Sequence, residues 1–504
     1  MTETAPLPPP PAPPPGLTRR TARLIGRRIE KAFGGPARTR VIVTLGAVLA
    51  LSSADSATVG ASANTLRHAL HISNSDIGLL VAVNSLVAAV ASIPFGVMAD
   101  RMRRRTVLGL SIALWGACMV WSATVGSFGH LLLSRLALGI ATASAGPVIA
   151  SMLGDWFASA ERGRIYSYVL TGELLGGGFG FAVTGDIAAL SWRLAFIVLA
   201  LPAFLLAVVV LKLPEPVRGG AGAIPPGAES IPTRADVHPA GEDVEAEEQL
   251  EETDAQRVSR AKGINPRTGK ILRVDPRRLG LIDATRYVLS IRTNVIMIVA
   301  GAFGYFYLAG VQTFGSELVH QQYGVNTALA NLLILVLGGG AVIGVLLGGR
   351  IGDWLLARHV LTGRMQVAWI SAALATAAFI PALITHSPTK ALPWLVLAAF
   401  GLSAQNPPLD AARLDIMPAM LWGRAEGIRT ALRTLAQATA PLLFGFTSDT
   451  IFGGGNGGGA LRTTFLLMLL PLGLGAIWLM RGVRSYSRDV ATAAATMQAV
   501  NESL

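Results

Sequence analysis

The chain has 504 residues, of which 52% are hydrophobic and only 14% are charged, and its mean hydropathy is +0.53. This composition is too apolar for an ordinary soluble protein of this length. The formal net charge is +12, but the basic residues stand in short joints between apolar segments. We therefore expect the charge to orient a membrane protein, and we expect no nucleic acid among its partners.

Segments of about 20 apolar residues recur along the chain, which is the length needed to cross roughly 30 Å of hydrocarbon. They predict an all-α membrane protein with twelve transmembrane helices, at approximately 41–62, 77–99, 106–126, 131–153, 165–187, 193–213, 293–317, 327–349, 365–385, 391–412, 426–449 and 462–481.

Basic residues crowd both ends of the chain and the joints after the second, fourth, eighth and tenth spans. The opposite joints carry few, namely Arg67, Arg193, Lys390 and Arg462. By the positive-inside rule both termini are cytoplasmic, so we predict a multi-pass protein of the plasma (inner) membrane. The first forty residues hold no apolar stretch of the kind found in cleaved signal peptides.

Hydropathy divides the chain into five parts. Residues 1–40 form a Pro-rich and then basic N-terminal arm, which lies on anionic lipid as a helix or is only loosely held. Residues 41–213 and 293–481 hold six spans each. Residues 214–292 are rich in turn-forming and charged residues and predict a largely disordered cytoplasmic linker. Residues 482–504 form a cytoplasmic tail.

Two internal repeats indicate that the halves arose by duplication, which is typical of transporters. The run from Gly96 to Arg105 follows the second span, and a weaker copy from Gly349 to Asp353 follows the eighth, 253 residues later. A second frame has an offset of 260 residues and pairs Pro147 with Pro407, Asp155 with Asp415, Gly163 with Gly423 and Arg164 with Arg424.

The chain resembles the major facilitator superfamily over residues 41–481. The motifs that carry the resemblance are the loop signature G-x-L-A-D-R-x-G-R-R (Gly96, Ala99, Asp100, Arg101, Arg104, Arg105), the fourth-span R-x-x-x-G (Arg135, Gly139) and a weak antiporter signature (Gly172, Gly176, Gly180). The resemblance implies two pseudo-symmetric six-helix halves that transport by alternating access. Within the superfamily the chain is similar to the spinster-like branch, because Asp55 falls at that branch's Asp-Arg pair; Ser56 replaces its arginine, and Thr142 its fourth-span glutamate.

The resemblance also implies a conformational latch at the cytoplasmic side. In the family, the signature aspartate, here Asp100, braces the start of the eleventh helix around Arg424 to Arg429. The signature's later arginine, here Arg104, pairs with an acid that leaves the fourth helix, here Asp155. Gly96 and Arg101 complete the set. The alternative is that these charges are solvated and only enforce topology.

Charged residues inside spans indicate function, because a charge in hydrocarbon is costly unless it is paired or lines a cavity. Asp55 lies about 21 Å from the cytoplasmic edge, and Arg135 about 6 Å from the outer edge, at 1.5 Å per residue. Both therefore lie in the outer half, and the resemblance implies that the first and fourth helices lie side by side along the cavity. We predict that the two residues pair as a proton-coupling switch or as a static lock. Glu173, near the midplane, is the second candidate; it is a proton site, a substrate contact or a neutral hydrogen-bonded carboxyl.

Polar residues of the inner spans predict the substrate cavity: Thr142, Tyr305, Tyr307, Gln312, Gln405, Asn406 and Arg433. Uncharged polar positions among apolar ones suit an amphiphile. Arg433 lies deeper than Arg429, which is close enough to the surface to snorkel, and we expect it to meet an anionic head group.

These residues favour a secondary transporter that exports an amphiphilic or cationic small molecule in exchange for protons. The alternatives are a lysophospholipid-type lipid transporter, a proton-coupled uptake symporter and, in another class, a non-transporting membrane sensor. The sequence holds neither H-E-x-x-H nor G-x-S-x-G, so we expect no enzyme. Cys118 is its single cysteine, and we expect no metal or cofactor. The expected partners are the small molecule, protons and the lipid bilayer, with the protein itself a monomer.

Overall fold

In the computed structural model the described residues are 28, 30–72, 74–218, 224–231, 252–324, 327–451 and 459–502. Each predicted span coincides with a helix or with two consecutive helices. In chain order the helices are α1 (Pro36–Ala61), α2 (Ala63–Leu70), α3 (Asn74–Arg101), α4 (Arg104–Thr124), α5 (Phe128–Thr142), α6 (Ala145–Trp156), α7 (Arg162–Phe179), α8 (Gly185–Leu190), α9 (Trp192–Leu211), α10 (Asp254–Ala261), α11 (Leu281–Ser290), α12 (Arg292–Tyr323), α13 (Thr327–Ala357), α14 (Gly363–Ile384), α15 (Pro388–Ala404), α16 (Asn406–Asp415), α17 (Trp422–Phe446) and α18 (Gly459–Asn501).

Nine helical segments within the described ranges are long and apolar enough to cross a membrane. The fifth, tenth and eleventh predicted spans fall outside this set, because they carry charged residues or are divided between two helices. Large apolar side chains cover the outside of the bundle; Leu190, Leu201, Leu205 and Leu442 are each more than 60% exposed. A surface of this kind is suited to lipid rather than to water.

The tenth span is divided at Gln405, where α15 ends and α16 begins. Pro407 and Pro408 directly follow the first residue of α16, where a proline's missing N–H is not needed by the helix. The fifth and eleventh spans both end in a π-helical turn, Gly180–Thr184 and Thr447–Ile451. The two halves therefore share this irregularity at corresponding places.

The most extensive packing between the halves is in two helix pairs: α3 packs along α17, and α7 packs along α13. Glycines permit the close approach in both. A Cβ added at Gly96 of α3 would lie 2.6 Å from the carbonyl oxygen of Gly423, and one at Gly349 of α13 would lie 2.1 Å from that of Gly163. These distances are too short for any side chain, so small residues are required at both crossings.

The expectation of a largely disordered linker over residues 214–292 is wrong for residues 252–292. This part forms α10 and α11, and α10 begins with a complete capping box between Thr253 and Gln256. Buried polar side chains hold α10, and Gln256 donates a hydrogen bond to the carbonyl oxygen of Asp415. The partners in these hydrogen bonds belong to the folded bundle and are distant in the sequence. The charged composition of the segment therefore does not reveal them. The basic arm up to residue 27 and the acidic run over residues 242–251 lie outside the described residues.

The predicted tail is helical, because α18 continues without a break to Asn501. Asp489 on this extension accepts hydrogen bonds from the backbone N–H and the hydroxyl of Thr293 at 3.0 and 2.6 Å. The hydroxyls of Thr492 and Thr496 accept backbone N–H groups of the linker. The linker and the tail thus pack together at the end of the bundle that holds Asp100, which we call the latch end.

We predict that the latch end faces the cytoplasm. A cysteine placed at the exposed Arg273 of the linker, on a Cys118→Ser background, should react with a membrane-impermeant maleimide only after intact cells are permeabilised. A cysteine at the exposed His130, next to the opposite ends of α4 and α5, serves as the control and should react in intact cells. The reverse pattern would contradict the predicted orientation.

Candidate functional site

Asp100 joins the two halves at the start of α17. Its carboxylate accepts the backbone N–H groups of Gly423 and Arg424 at 2.7 and 3.0 Å, and the Arg424 Nε at 2.8 Å. The first-turn N–H groups of a helix have no intrahelical partner and favour a negative charge. The predicted contact between Asp100 and the turn at Arg424 is therefore present, while its role in transport stays a prediction.

A second contact of the same kind lies at the pseudo-equivalent place. Asp353 accepts the backbone N–H groups of Gly163 and Arg164, at the start of α7, at 3.1 and 2.6 Å. The sequence analysis found the weak motif copy and the Gly163–Gly423 correspondence but did not connect them. Together they predict this contact, because duplicated halves place equivalent residues at equivalent interfaces.

Arg104 pairs with Asp155, as expected, and also binds Glu215 at 3.1 Å. All three residues belong to the first half and its exit, so this pair does not itself bridge the halves. Its counterpart 260 residues later is Arg364, which binds Asp415 at 2.5 Å. That second cluster, which the sequence analysis missed, does bridge the halves.

Asp415 receives the bridging contacts. The hydroxyl of Ser159, from the first half, donates to Asp415 at 2.7 Å, and the hydroxyl of Tyr486, on the α18 extension, donates at 2.8 Å. Arg364 also binds Asp353 at 2.7 Å. The latch end is therefore closed by charges from both halves and from the tail.

Two predicted latch residues have other partners. Arg101 donates to the carbonyl oxygens of Arg277 and Leu279 in the linker, and Arg424 donates to the same Leu279 carbonyl. The linker therefore braces the latch from outside. Arg429 does not contact Asp100, because it lies more than one turn further along α17 and points into a separate cluster.

That cluster is a closed ring of four buried charges on α16 and α17. Arg413 binds Asp410 at 2.6 Å and also binds Glu426. Arg429 binds Glu426 at 2.6 Å and Asp410 at 3.3 Å. Each charge has two opposite partners, so the ring is neutral. We call it the charge ring.

Asp55 and Arg135 form the predicted pair. The Asp55 Oδ1 and an Arg135 terminal nitrogen are 3.3 Å apart, and both side chains are 2% exposed. The Arg135 guanidinium lies 4.6 Å from the ring centroid of Phe196. Its Nε and other terminal nitrogen have no hydrogen-bond partner among the described residues. A buried guanidinium with two unused donors is an expensive arrangement for a purely structural lock.

Glu173 and Arg433 belong to different halves and are close enough for their charges to interact. Arg433, on α17, lies 4.6 Å over the ring of Tyr305, and the charge of Arg433 acts on Glu173, which is on α7. The sequence analysis found no partner for Glu173, although the 260-residue frame aligned it with Arg433. Alignment in a repeat relates equivalent positions and does not by itself predict that the two aligned residues lie near each other.

Other predicted cavity residues divide into two groups. The prediction that Tyr307 lines the cavity is wrong. Tyr307 is fully buried, and its ring centroid lies 4.8 Å from that of Phe379 in the core of the second half. Two residues along a helix turn the side chain to the opposite face, so Tyr305 and Tyr307 cannot line one cavity. Gln312 lies two turns from Tyr305 on the same face and is exposed.

The last three predicted cavity residues are polar, and their surroundings say less about a cavity. Gln405 is buried beside Gly304 and donates to the carbonyl oxygen of Leu402. Thr142 bonds the carbonyl of Leu138, as helical threonines do, and Asn406 is half-buried. No group of three or more His, Cys, Asp or Glu side chains within the described ranges is arranged to hold a metal ion.

The fold, its lipid-suited surface and its paired halves define an integral multi-pass membrane protein. Residues 44–419 match the Major Facilitator Superfamily. This match spans well over half of the chain, so the chain belongs to the Major Facilitator Superfamily.

Three individual proteins illustrate the similarity. The probable L-galactonate transporter of Escherichia coli (strain K12) is 29% identical over 203 residues, which cover 39% of this chain and 42% of that protein. The protein spinster of Drosophila melanogaster is 25% identical over 33% of this chain and 28% of its own length. The alignments thus span less than half of either relative. The structure of the proton:xylose symporter XylE has a TM-score of 0.63 at 17% identity, covering 90% of this chain and 96% of its own, which demonstrates the shared fold alone.

We predict that Asp100→Asn and Asp353→Asn each open the latch end. Loss of the Asp100 charge leaves the buried Arg424 without its acidic partner. Loss of the Asp353 charge weakens the bonds to two N–H groups at the start of α7 and removes one of the two acids that bind Arg364. Each loss costs the closed form about 1.5–3 kcal/mol, the size of a charge-assisted hydrogen bond. Spin labels at the exposed Met102 and Arg358, on the latch ends of the two halves, should show a longer-distance population that grows at least roughly tenfold, since about 1.4 kcal/mol changes a two-state ratio tenfold. The exposed Asp283→Asn is the matched control, and an unchanged distance distribution in both latch variants would refute the prediction.

Proposed function

We propose that the protein is a proton-coupled secondary transporter of a small organic acid, working by alternating access between its two halves. The observation that carries this proposal is the buried Asp55–Arg135 pair, whose arginine keeps two donors unused. The family, and the L-galactonate named for one relative, support transport of an acid by this fold.

The pair has the properties that proton coupling needs. A carboxylate buried to this degree is stable only while a cation neutralises it, and otherwise takes up a proton. If the transport cycle rearranges the helices within the first half and separates Asp55 from Arg135, the carboxylate changes its protonation with the conformation. A static lock would gain more from an arginine whose donors were all used.

The cargo that we propose differs from the cationic amphiphile favoured by the sequence analysis. Among the described residues, the positive groups deep within the spans and outside the charge ring are Arg135 and Arg433. An anion is the complement of such groups. Movement of an anion together with protons makes the proton gradient drive uptake, so we propose symport rather than export. Orientation with the latch end in the cytoplasm, a plasma-membrane location and action as a monomer complete the proposal.

The direct test is transport into proteoliposomes. With an acidic exterior, wild-type protein should concentrate L-galactonate, and collapse of the pH gradient should stop this. A lysophospholipid and a cationic dye are the parallel cargoes. If the lysophospholipid or the dye accumulates and L-galactonate does not, the proposal of an organic-acid cargo is refuted. Export of the dye would favour the antiporter alternative. Specific binding without any transport would favour a sensor.

Asp55→Asn should abolish gradient-driven accumulation, because the amide cannot carry a proton, while exchange of labelled for unlabelled cargo continues at equal pH. We expect accumulation to fall at least roughly tenfold with exchange within about threefold of wild type, on the usual scale of a lost proton-transfer group. The exposed Asp283→Asn is the control for expression and reconstitution. Full accumulation by Asp55→Asn would contradict the proposed switch.

A further inference from the structure

We propose that Arg433, Glu173 and Tyr305 form the cargo site, in which Arg433 binds the carboxylate of a hydroxy acid and protonated Glu173 donates to a cargo hydroxyl. Ionised Glu173 instead neutralises Arg433 and competes with the cargo. This inference rests on the proposed function, and it assigns a second proton to the acid that binds next to the cargo.

The first step is the balance of charge between α7, α16 and α17. Three acids and three arginines act on one another in this region: Asp410, Glu426, Glu173, Arg413, Arg429 and Arg433. The charge ring uses four of them and is neutral in itself. One acid and one arginine remain, and neither Glu173 nor Arg433 forms a salt bridge or a hydrogen bond with the described residues.

The Arg433 side chain stacks on an aromatic ring and keeps a donor unused. Its guanidinium lies 4.6 Å over the Tyr305 ring, and its Nε is buried without a hydrogen-bond partner among the described residues. Stacking on an aromatic face leaves the in-plane N–H donors free, and two of them match the two oxygens of a carboxylate. The half-buried side chain strengthens such a bond by excluding part of the water.

The third step is the surroundings of Glu173. The charged groups that act on it are Arg433 and Arg429 from α17 and Asp410 from α16, and Tyr305 on α12 interacts with it as well. The adjacent α1 packs closely against α7, where Gly172 lies directly on Gly46. Arg429 and Asp410 are already paired within the charge ring. Among the described residues, Arg433 is therefore the charge outside the ring that acts on Glu173.

Competition follows from these positions. Arg433 carries one positive charge and cannot neutralise both an ionised Glu173 and a cargo carboxylate. Binding of the anion is therefore linked to uptake of one proton from water by the Glu173 carboxylate, and by reciprocity protonation of Glu173 strengthens anion binding. Above the pH at which Glu173 ionises, the affinity for the anion should fall about tenfold for each pH unit. The protonated acid then offers its O–H to a cargo hydroxyl.

Binding to detergent-solubilised protein, with no gradient, tests the site separately from transport. The probes are L-galactonate, a carboxylate that carries hydroxyls, and galactitol, its uncharged polyol counterpart. Wild type should bind L-galactonate but not galactitol, more tightly at lower pH. Arg433→Gln should lose at least roughly thirtyfold in affinity, the size expected for a lost charge-assisted bidentate bond. Glu173→Gln should still bind within about threefold of the low-pH wild type and should lose the pH dependence.

The matched controls are the exposed Arg273→Gln and Glu229→Gln, which should leave both affinity and pH dependence unchanged. Equal affinities of wild type and Arg433→Gln, or an unaltered pH profile in Glu173→Gln, would overturn the site. Failure of wild type to bind L-galactonate and other hydroxy acids would overturn it too. If the variants bind as expected but wild-type vesicles never concentrate the acid, the site stands and the proposed function fails.

Discussion

The structure depends on one constraint: a charge inside an apolar bundle must meet an opposite charge or a helix terminus. Burial of an uncompensated ion costs several kcal/mol even after relaxation. Asp100 and Asp353 satisfy the constraint at the N-termini of α17 and α7, and the charge ring satisfies it by closing on itself. Because each solution depends on the relative position of helices, any movement of the halves must break some of these contacts and replace them.

The two latch contacts show how duplication distributes this cost. Each half supplies an acid at the end of one helix and a free helix start for the acid of the other half, and Gly96 and Gly349 let the backbones approach. The linker adds a brace to the Asp100 contact, because Leu279 accepts hydrogen bonds from Arg101 and Arg424 together. The closed latch end is therefore over-determined, and opening it requires the linker to yield as well as the two aspartates.

Hydropathy alone predicted the spans, because the length of a membrane helix is set by the bilayer. Depth along the spans, together with the family's placement of the first and fourth helices side by side, predicted the Asp55–Arg135 pair. Predictions of cavity residues were wrong where they depended on the direction in which a side chain points. Tyr307 turns into the core while Tyr305 faces Arg433, and the helix sequence does not reveal which face meets which neighbour. The linker was misjudged because α10 is held by partners far away in the chain, such as Asp415.

The positions of the buried groups that lack hydrogen-bond partners explain why we propose different roles for Asp55 and Glu173. Asp55 and Arg135 both belong to the first half, so their pairing responds to rearrangement within that half. Glu173 and Arg433 come from different halves, so their encounter depends directly on how the halves sit. A cargo bound between them joins the halves in place of their mutual attraction. Binding and rocking are then linked through the same two side chains, and the proton on Glu173 decides which partner Arg433 takes.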